Sequence, residues 1–178
     1  MNAKLFAAIA ALTAAVPQFA NAADGTITFN GKITPVSCTI SGNGSTSKDF
    51  TVVLPDVSVS SLDTAGRTAG RTGFTIGLRC TPGTGPVHTF FEAGPNVDTT
   101  TGHLKLNAGG ATNVQIGLRN GIDASEIRLD APDAAQNSKA VTLVDGNGTL
   151  SYYAEYVATG AATPGVAEAS VLSTIAYE

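Results

Sequence analysis

Apolar and polar residues alternate along several short stretches of this chain, with the period of two that is typical of a strand with one buried face. Clear examples are residues 74–80, 114–118 and 150–156. The third of these carries the following residues on its apolar face: Leu150, Tyr152, Ala154 and Tyr156. No stretch keeps an apolar stripe of helical period for more than a turn or two, so the pattern predicts an all-β protein.

Turn signals separate the predicted strands, among them Asn120-Gly121 and the run Asp-Gly-Asn-Gly at 145–148, which indicates a hairpin. Weaker patterns occupy three further stretches. Residues 50–62 predict a strand broken at a proline, the glycine-rich repeat at 65–73 predicts an exposed connection, and the polar segment 123–138 predicts a loop or a short helix. Short strands at this spacing are typical of an immunoglobulin-like β-sandwich.

The N-terminus has the organisation of a secretory signal peptide. Lys4 precedes an apolar stretch from 5 to 16, and Ala20-Asn21-Ala22 follows as a small-residue cleavage site. The apolar stretch is too short to span a bilayer. We therefore predict a signal peptide over residues 1–22, cleavage after Ala22, and an exported protein.

Export changes the interpretation of the two cysteines. In an oxidising compartment an even number of cysteines indicates a disulfide before it indicates a metal site or a nucleophile. Cys38 is in phase with the apolar Val36 and Ile40, and Cys80 is in phase with Leu78, so both sulfurs are expected to point inward. The sequence predicts one bond, Cys38–Cys80; the alternative is a pair of buried free thiols.

Composition and motifs argue against binding of nucleic acid or an anionic membrane, against a zinc site and against catalysis. The net charge of −4 gives no basic surface for nucleic acid or an anionic membrane. The only histidines, His88 and His103, belong to no zinc motif, and neither a G-x-S-x-G motif nor a phosphate-binding loop is present. We expect no cofactor, no metal and no catalytic residues.

The last fourteen residues, GVAEASVLSTIAYE, hold the most specific pattern. Gly165 opens the segment, and alternate positions then carry the following residues: Ala169, Val171, Ile175 and Tyr177. A glycine fourteenth from the end, alternating apolar positions and a penultimate tyrosine resemble the C-terminal signature of chaperone–usher pilus subunits. The preceding YVATGAATPG is similar to the major pilins of type 1 fimbriae, and GTITFNGKITPVSC resembles the pilin N-terminal extension and first strand.

This resemblance implies an incomplete immunoglobulin-like sandwich, the pilin fold, completed by a donor strand from a neighbouring subunit. It implies a donor extension over 23–34 and a pilin domain over 35–178. The implied donor anchors are Ile27, Phe29, Gly31 and Ile33. The tail would form the edge used by a chaperone or an incoming strand, and 150–156 would resemble the penultimate pilin strand, lining the groove and the core. Alternation alone favours the other interpretation, in which residues 26–33 form the domain's own first strand.

The implied function is a structural subunit of a surface fimbria that supports adhesion. Its implied partners are related subunits, a periplasmic chaperone, an outer-membrane usher and a host receptor for the assembled fibre, with no nucleic acid. The alternative is a minor adaptor or a tip adhesin with glycan-binding activity, or a secreted carbohydrate-binding module. A small exported enzyme lacks any supporting group of residues.

Overall fold

The computed structural model describes Thr28, Gly31, Ile33, residues 35–81 and residues 83–177. The chain divides into two units, 1–34 and 35–178, and the fold below is that of the second. The predicted signal peptide over 1–22 lies outside the described residues. Within the part of the chain that is described, no helix is both long and apolar enough to cross a membrane.

The described residues form nine β-strands, one α-helical turn and one 3-10 turn. The strands are β1 (Ser37–Gly42), β2 (Thr68–Thr81), β3 (Gly85–Phe91), β4 (Leu104–Lys105), β5 (Val114–Asn120), β6 (Glu126–Ile127), β7 (Val141–Leu143), β8 (Asn147–Ala158) and β9 (Ser173–Tyr177). The helical turns are α1 (Asp133–Gln136) and a 3-10 turn (Val59–Leu62).

The strands form two antiparallel sheets. The larger sheet has the order β1-β2-β8-β5-β4, with β6 paired to β5, and the smaller sheet has the order β7-β3-β9. The inward-facing side chains of the two sheets form one main apolar core. The predicted all-β sandwich is therefore confirmed.

Three aromatic rings join the two sheets at the centre of this core. Tyr152 on β8 lies 5.5 Å from Phe74 on β2 and 5.3 Å from Phe91 on β3, measured between ring centroids, and the Phe91 ring meets it edge-on. Edge-to-face and offset pairs at such distances add to the stabilisation from buried area. Because Phe91 belongs to the smaller sheet, this cluster fixes how the two sheets pack.

The turn predicted at 145–148 is confirmed as a two-residue turn, but β7 and β8, which it connects, belong to different sheets. Asp145 and Gly146 both have positive φ, 50° and 79°, and reciprocal backbone hydrogen bonds of 2.9 Å join Val144 and Asn147. An Asp-Gly pair with both φ values positive forms a type I′ turn, whose twist matches that of the flanking strands.

The sequence predicts an exposed connection for the glycine-rich repeat at 65–73, and this prediction is wrong. Strand β2 already begins at Thr68, inside the repeat. Ala69 pairs with Tyr156 and Thr72 with Ala154, with a bulge between the two pairs. Gly70 sits in this bulge with φ +69°, and a Cβ there would lie 2.9 Å from the Tyr156 ring. The repeat therefore places a glycine where a strand bends over an aromatic side chain.

The strand predicted in 50–62 is also wrong, since no strand of the described residues pairs with this segment. Its side chains nevertheless alternate: Phe50 and Val52 are half-buried against the core, whereas Val53 is 79% exposed. The alternation predicted the orientation of the side chains correctly. Alternation does not show whether a neighbouring strand is present to form hydrogen bonds, and none of the described strands pairs with this segment.

The polar segment 123–138 contains β6 and the four-residue helix α1, close to the expected loop or short helix. The buried amide of Asn120 holds this segment in place. Its Nδ2 donates to the carbonyl of Asn137 at 2.8 Å, and its Oδ1 accepts from the Lys139 N–H at 2.8 Å. Such a side chain satisfies backbone groups that no strand reaches.

A carboxylate lies buried on the outward face of the larger sheet. The Glu155 side chain is 1% exposed, and it accepts hydrogen bonds from Arg71 Nε at 2.7 Å and from Arg119 Nε. Burial by itself raises the pKa of Glu155, but the hydrogen bonds from Arg71 and Arg119 outweigh it and hold the pKa below its ordinary value. The carboxylate is therefore charged at neutral pH.

We expect Glu155→Gln to lower the free energy of unfolding at pH 7 by about 1–2 kcal/mol, because the neutral amide loses two charge-assisted hydrogen bonds while Arg71 stays partly solvated. A carboxyl with a depressed folded pKa stabilises the protein above its unfolded pKa of about 4.3, and this contribution is lost as the pH falls through the folded value. Urea unfolding over a pH series measures the effect. The difference between the two proteins should shrink below about pH 4; a pH-independent difference would contradict this assignment, and the exposed Glu168→Gln provides a control.

Candidate functional site

Five of the described strands, β1, β4, β6, β7 and β9, are each paired with a single neighbouring strand. Two of them, β1 and β9, end the larger and the smaller sheet where the two sheets come close together. Among the described strands, β1 pairs only with β2 at the end of the larger sheet, and β9 pairs only with β3 at the end of the smaller sheet. An edge strand presents a row of unpaired N–H and C=O groups that another strand can bind. The sandwich therefore has an available edge on each sheet.

These two edges meet at their inward-facing side chains. The Tyr177 hydroxyl on β9 donates a hydrogen bond of 3.1 Å to the Cys38 sulfur on β1. Both side chains are only half-buried, although both pack against the main core. The contact brings the β1 edge of the larger sheet close to the β9 edge of the smaller sheet, at the border of the core.

Apolar side chains along this boundary are incompletely covered. We call the following nine residues the open seam: Val36, Cys38, Ile40, Phe50, Val52, Leu54, Ala169, Val171 and Tyr177. All of them pack against the main core, yet all remain partly exposed, whereas the neighbouring Ile76 is 3% exposed and Leu150 is 1% exposed. A strip of half-buried apolar groups beside unpaired backbone has the properties of a site for an added strand.

The predicted disulfide is confirmed and lies at the open seam. Cys38 on β1 is directly opposite Cys80 on β2, and the two sulfurs are bonded. The bond links residues 42 positions apart and ties the edge strand β1 to its only described partner. The edge strand is therefore anchored covalently on the side that faces its own sheet.

The tail forms a strand at one end of the smaller sheet, although this strand is shorter than the alternation indicates. Strand β9 covers Ser173–Tyr177, and inward-facing Ile175 is buried. The preceding residues make isolated backbone hydrogen bonds, such as the 2.8 Å bond from the Glu92 N–H to the Leu172 carbonyl. Ala169 and Val171 are half-buried and Gly165 is exposed. The role of these tail residues as an edge for a chaperone or an incoming strand stays a prediction.

The remaining predicted site residues divide into two groups. Leu150, Tyr152 and Ala154 are buried on β8, in the middle of the larger sheet, which confirms them as core residues; Tyr156 is half-buried. That these four line a groove stays a prediction. The following donor anchors form the other group: Ile27, Phe29, Gly31 and Ile33. The first two lie outside the described residues, and the last two are exposed, with the Ile33 side chain fully accessible.

The three seam residues of the segment 50–54 were not singled out from the sequence. Phe50, Val52 and Leu54 alternate with exposed neighbours, so the signal was present. Alternation predicts a strand of the domain's own sheet here and does not distinguish it from one wall of an incomplete core.

Comparison with known proteins identifies the family. The family model for "FimA: Type-1 fimbrial protein, A" matches residues 54–178. The chain belongs to the type-1 fimbrial protein family. It is 50% identical to the major fimbrial subunit SMF-1 of Stenotrophomonas maltophilia over 93% of this chain and 99% of that protein. It is 33% identical to a type-1 fimbrial protein A chain of Escherichia coli over 100% of this chain and 95% of that protein.

Solved structures agree on the fold. A structure of a chaperone–usher pilus contains a chain that is 24% identical, with a TM-score of 0.59, over 92% of this chain and 99% of that one. The family relationship and this fold show that the protein is a structural subunit of a surface fimbria with an incomplete immunoglobulin-like pilin fold. The tip-adhesin alternative is not favoured, because SMF-1, to which this chain is 50% identical, is a major fimbrial subunit.

Removing the disulfide should destabilise the fimbrial subunit strongly. On the chain-entropy model, opening a loop of 42 residues costs about 4 kcal/mol. We expect Cys38→Ala/Cys80→Ala to lower the yield of periplasmic subunit severely, because few domains have stability of that size to spare. Mass spectrometry without reductant should show one linked peptide pair in the wild type. Free alkylation of both thiols in native protein would contradict the bond.

Proposed function

We propose that subunits polymerise by strand exchange, in which residues 23–34 of one subunit occupy the open seam of the next. The observation that carries this proposal is the seam itself, with unpaired edges on β1 and β9 and half-covered apolar side chains between them. An added strand would supply main-chain partners to both edges and side chains to the core. No catalytic activity is proposed.

The alternation of the segment 23–34 matches the requirements of the seam. Ile27, Phe29 and Ile33 would point toward the core on one face of the added strand, and Gly31 would keep that face free of a side chain at one position. Fully burying each large apolar anchor contributes roughly 1.5–3 kcal/mol. The complete exposure of Ile33 supports this role, since a large apolar side chain gains most from a partner that covers it.

Before polymerisation, the same seam requires a temporary partner. We propose that a periplasmic chaperone pairs with the β9 edge and delivers the subunit to an outer-membrane usher. Ile175 and Tyr177 are the tail side chains that point from β9 toward the core, so they would contact any strand that completes it. A host-surface receptor would meet the assembled fibre and not the isolated subunit.

Deleting residues 23–33 should leave a subunit that folds and binds the chaperone but stops fibre growth, because it accepts a strand and donates none. The measurement is polymerisation of purified chaperone–subunit complexes, followed as the ladder of multimers on an unheated gel. Long fibres from the deletion variant would show that this segment is only a first strand of its own domain.

Single substitutions in the segment separate steric fit from anchoring. Gly31→Phe should block polymerisation, since an aromatic ring at a position without room costs at least ~1–3 kcal/mol in overpacking. Ile27→Ser adds no bulk, so fibres should form but dissociate at lower temperature or lower denaturant concentration. Equal ladders for both variants would contradict the proposed position of Gly31.

Charges on the inward face of β9 should abolish chaperone binding. Ile175→Lys or Tyr177→Lys would place an ammonium group in the apolar seam, which is strongly unfavourable. Thr174→Lys is the matched control, because Thr174 is exposed on the same strand and its side chain already contacts Glu92. Co-purification with the chaperone measures the effect. Retention by the Ile175 and Tyr177 variants would count against the tail as the chaperone edge.

A further inference from the structure

The two sides of strand β3 have different hydrogen-bonding partners: β9 pairs with residues 87–91 on one side, and β7 pairs with residues 85–87 on the other. Successive residues of a strand direct their N–H and C=O groups to opposite sides. The Glu92 N–H bonds the Leu172 carbonyl on the β9 side. The backbone groups of Phe91, one residue earlier, therefore point to the opposite side, where β7 is the neighbouring strand.

Strand β7 is too short to cover that side. It pairs with β3 only at Gly85, Pro86 and Val87, so the ladder ends four residues before Phe91. Without another partner, this part of β3 would be a further open edge of the smaller sheet, besides the outer edges of β9 and β7. A strand added there would bind outside the open seam.

The side chain of Gln136 occupies this position. Its Oε1 accepts a hydrogen bond of 2.9 Å from the Phe91 N–H, and its Nε2 donates one of 2.8 Å to the Phe91 carbonyl. A primary amide that bonds both groups of one residue reproduces what a neighbouring strand would supply. Gln136 is completely buried, so both bonds are shielded from water.

The surrounding residues hold this amide in place. Gln136 is the last residue of α1, and its carbonyl accepts a bond of 3.0 Å from the Arg128 N–H. Asn137 then ends the helix in the left-handed conformation, at φ 67°. At the other end of α1, Asp133 Oδ1 lies 2.8 Å from His88 Nε2 on β3. The helical turn is thus attached to β3 at both of its ends.

We propose that Gln136 is a specificity-determining residue of fibre assembly: its amide occupies the stretch of β3 that β7 leaves uncovered and prevents strand addition there, outside the open seam. Natural sheets commonly protect an edge with a helix or a loop. Here the protection is applied to one side of β3, whereas β9, on the other side, leaves its own outer edge unpaired among the described strands. The proposal rests on the proposed strand exchange only in assuming that this subunit accepts strands by edge pairing.

The test uses fibres of the mature chain, in which the seam is already occupied. Fibres are incubated with a fluorescent synthetic peptide that copies residues 23–34, and the bound peptide is counted per subunit. Wild-type fibres should bind peptide only at their ends. Gln136→Met keeps the length of the side chain but loses both hydrogen bonds, and capture should rise about tenfold, as two freed backbone groups form new bonds.

Asn120→Ala is the matched control. Asn120 is another buried amide, and it anchors the same segment through Asn137 and Lys139, but it lies at the end of β5 and makes no bond to β3. Asn120→Ala removes the bonds to Asn137 and Lys139 and neither of the two bonds between Gln136 and Phe91. Capture by these fibres should equal that of the wild type, which separates edge blocking from a general loss of stability.

Gln136→Glu provides an intermediate case, because the carboxylate keeps the acceptor for the Phe91 N–H and loses the donor to the Phe91 carbonyl. Capture between the wild-type and Gln136→Met values is expected. Wild-type capture by Gln136→Met fibres would overturn the proposal, as would capture by Asn120→Ala fibres as high as that of Gln136→Met fibres. Loss of assembly in both Gln136 variants, with normal assembly of Asn120→Ala, would also overturn it by showing a role in folding alone.

This experiment separates the present proposal from the proposed donor segment. If 23–34 is not the donor, its deletion variant still forms fibres. The peptide remains a valid probe there, because an alternating apolar strand of any origin can pair with an exposed edge.

Discussion

Unpaired backbone beside an unfinished core is the constraint on which this subunit depends. β1 and β9 each have one described neighbour, and the side chains between these two edges are half-covered although they pack against the core. A buried or nearly buried N–H or C=O without a partner costs free energy, as does exposed apolar area. Both costs fall on the same strip of the molecule, so one added strand relieves them together.

The disulfide acts where this constraint is strongest. Cys38 lies on the edge strand β1, and its bond to Cys80 fixes that strand to β2 independently of any partner on the open side. The Tyr177 hydroxyl reaches the same sulfur from β9. The disulfide and the Tyr177 contact fix the shape of the seam. Neither uses the backbone groups on the open sides of β1 and β9, so these stay available.

Patterns among neighbouring residues predicted much of this structure. Contacts between residues far apart in the sequence could not be predicted. The strand at 114–118 and the Asp145-Gly146 turn follow from alternation and turn chemistry, which act over a few residues. Glu155 falls on the outward face, where a solvated carboxylate is the ordinary expectation, but Arg71, 84 positions away, covers it. Gln136 lies in a polar segment whose sequence gives no sign that its amide is buried against Phe91. Such pairings depend on which strands the fold brings together.

Under the proposed mechanism, one donor segment and one acceptor seam on each subunit also determine the form of the assembly. Contacts between unlike surfaces are heterologous, and they produce open filaments unless the rotation between subunits closes a ring. A filament stays unbranched only if each subunit accepts one strand. The open seam would provide that site, and the occupied edge of β3 would remove one competing site in the smaller sheet. The regularity of the fibre would then depend as much on the edge that is closed as on the edge that is open.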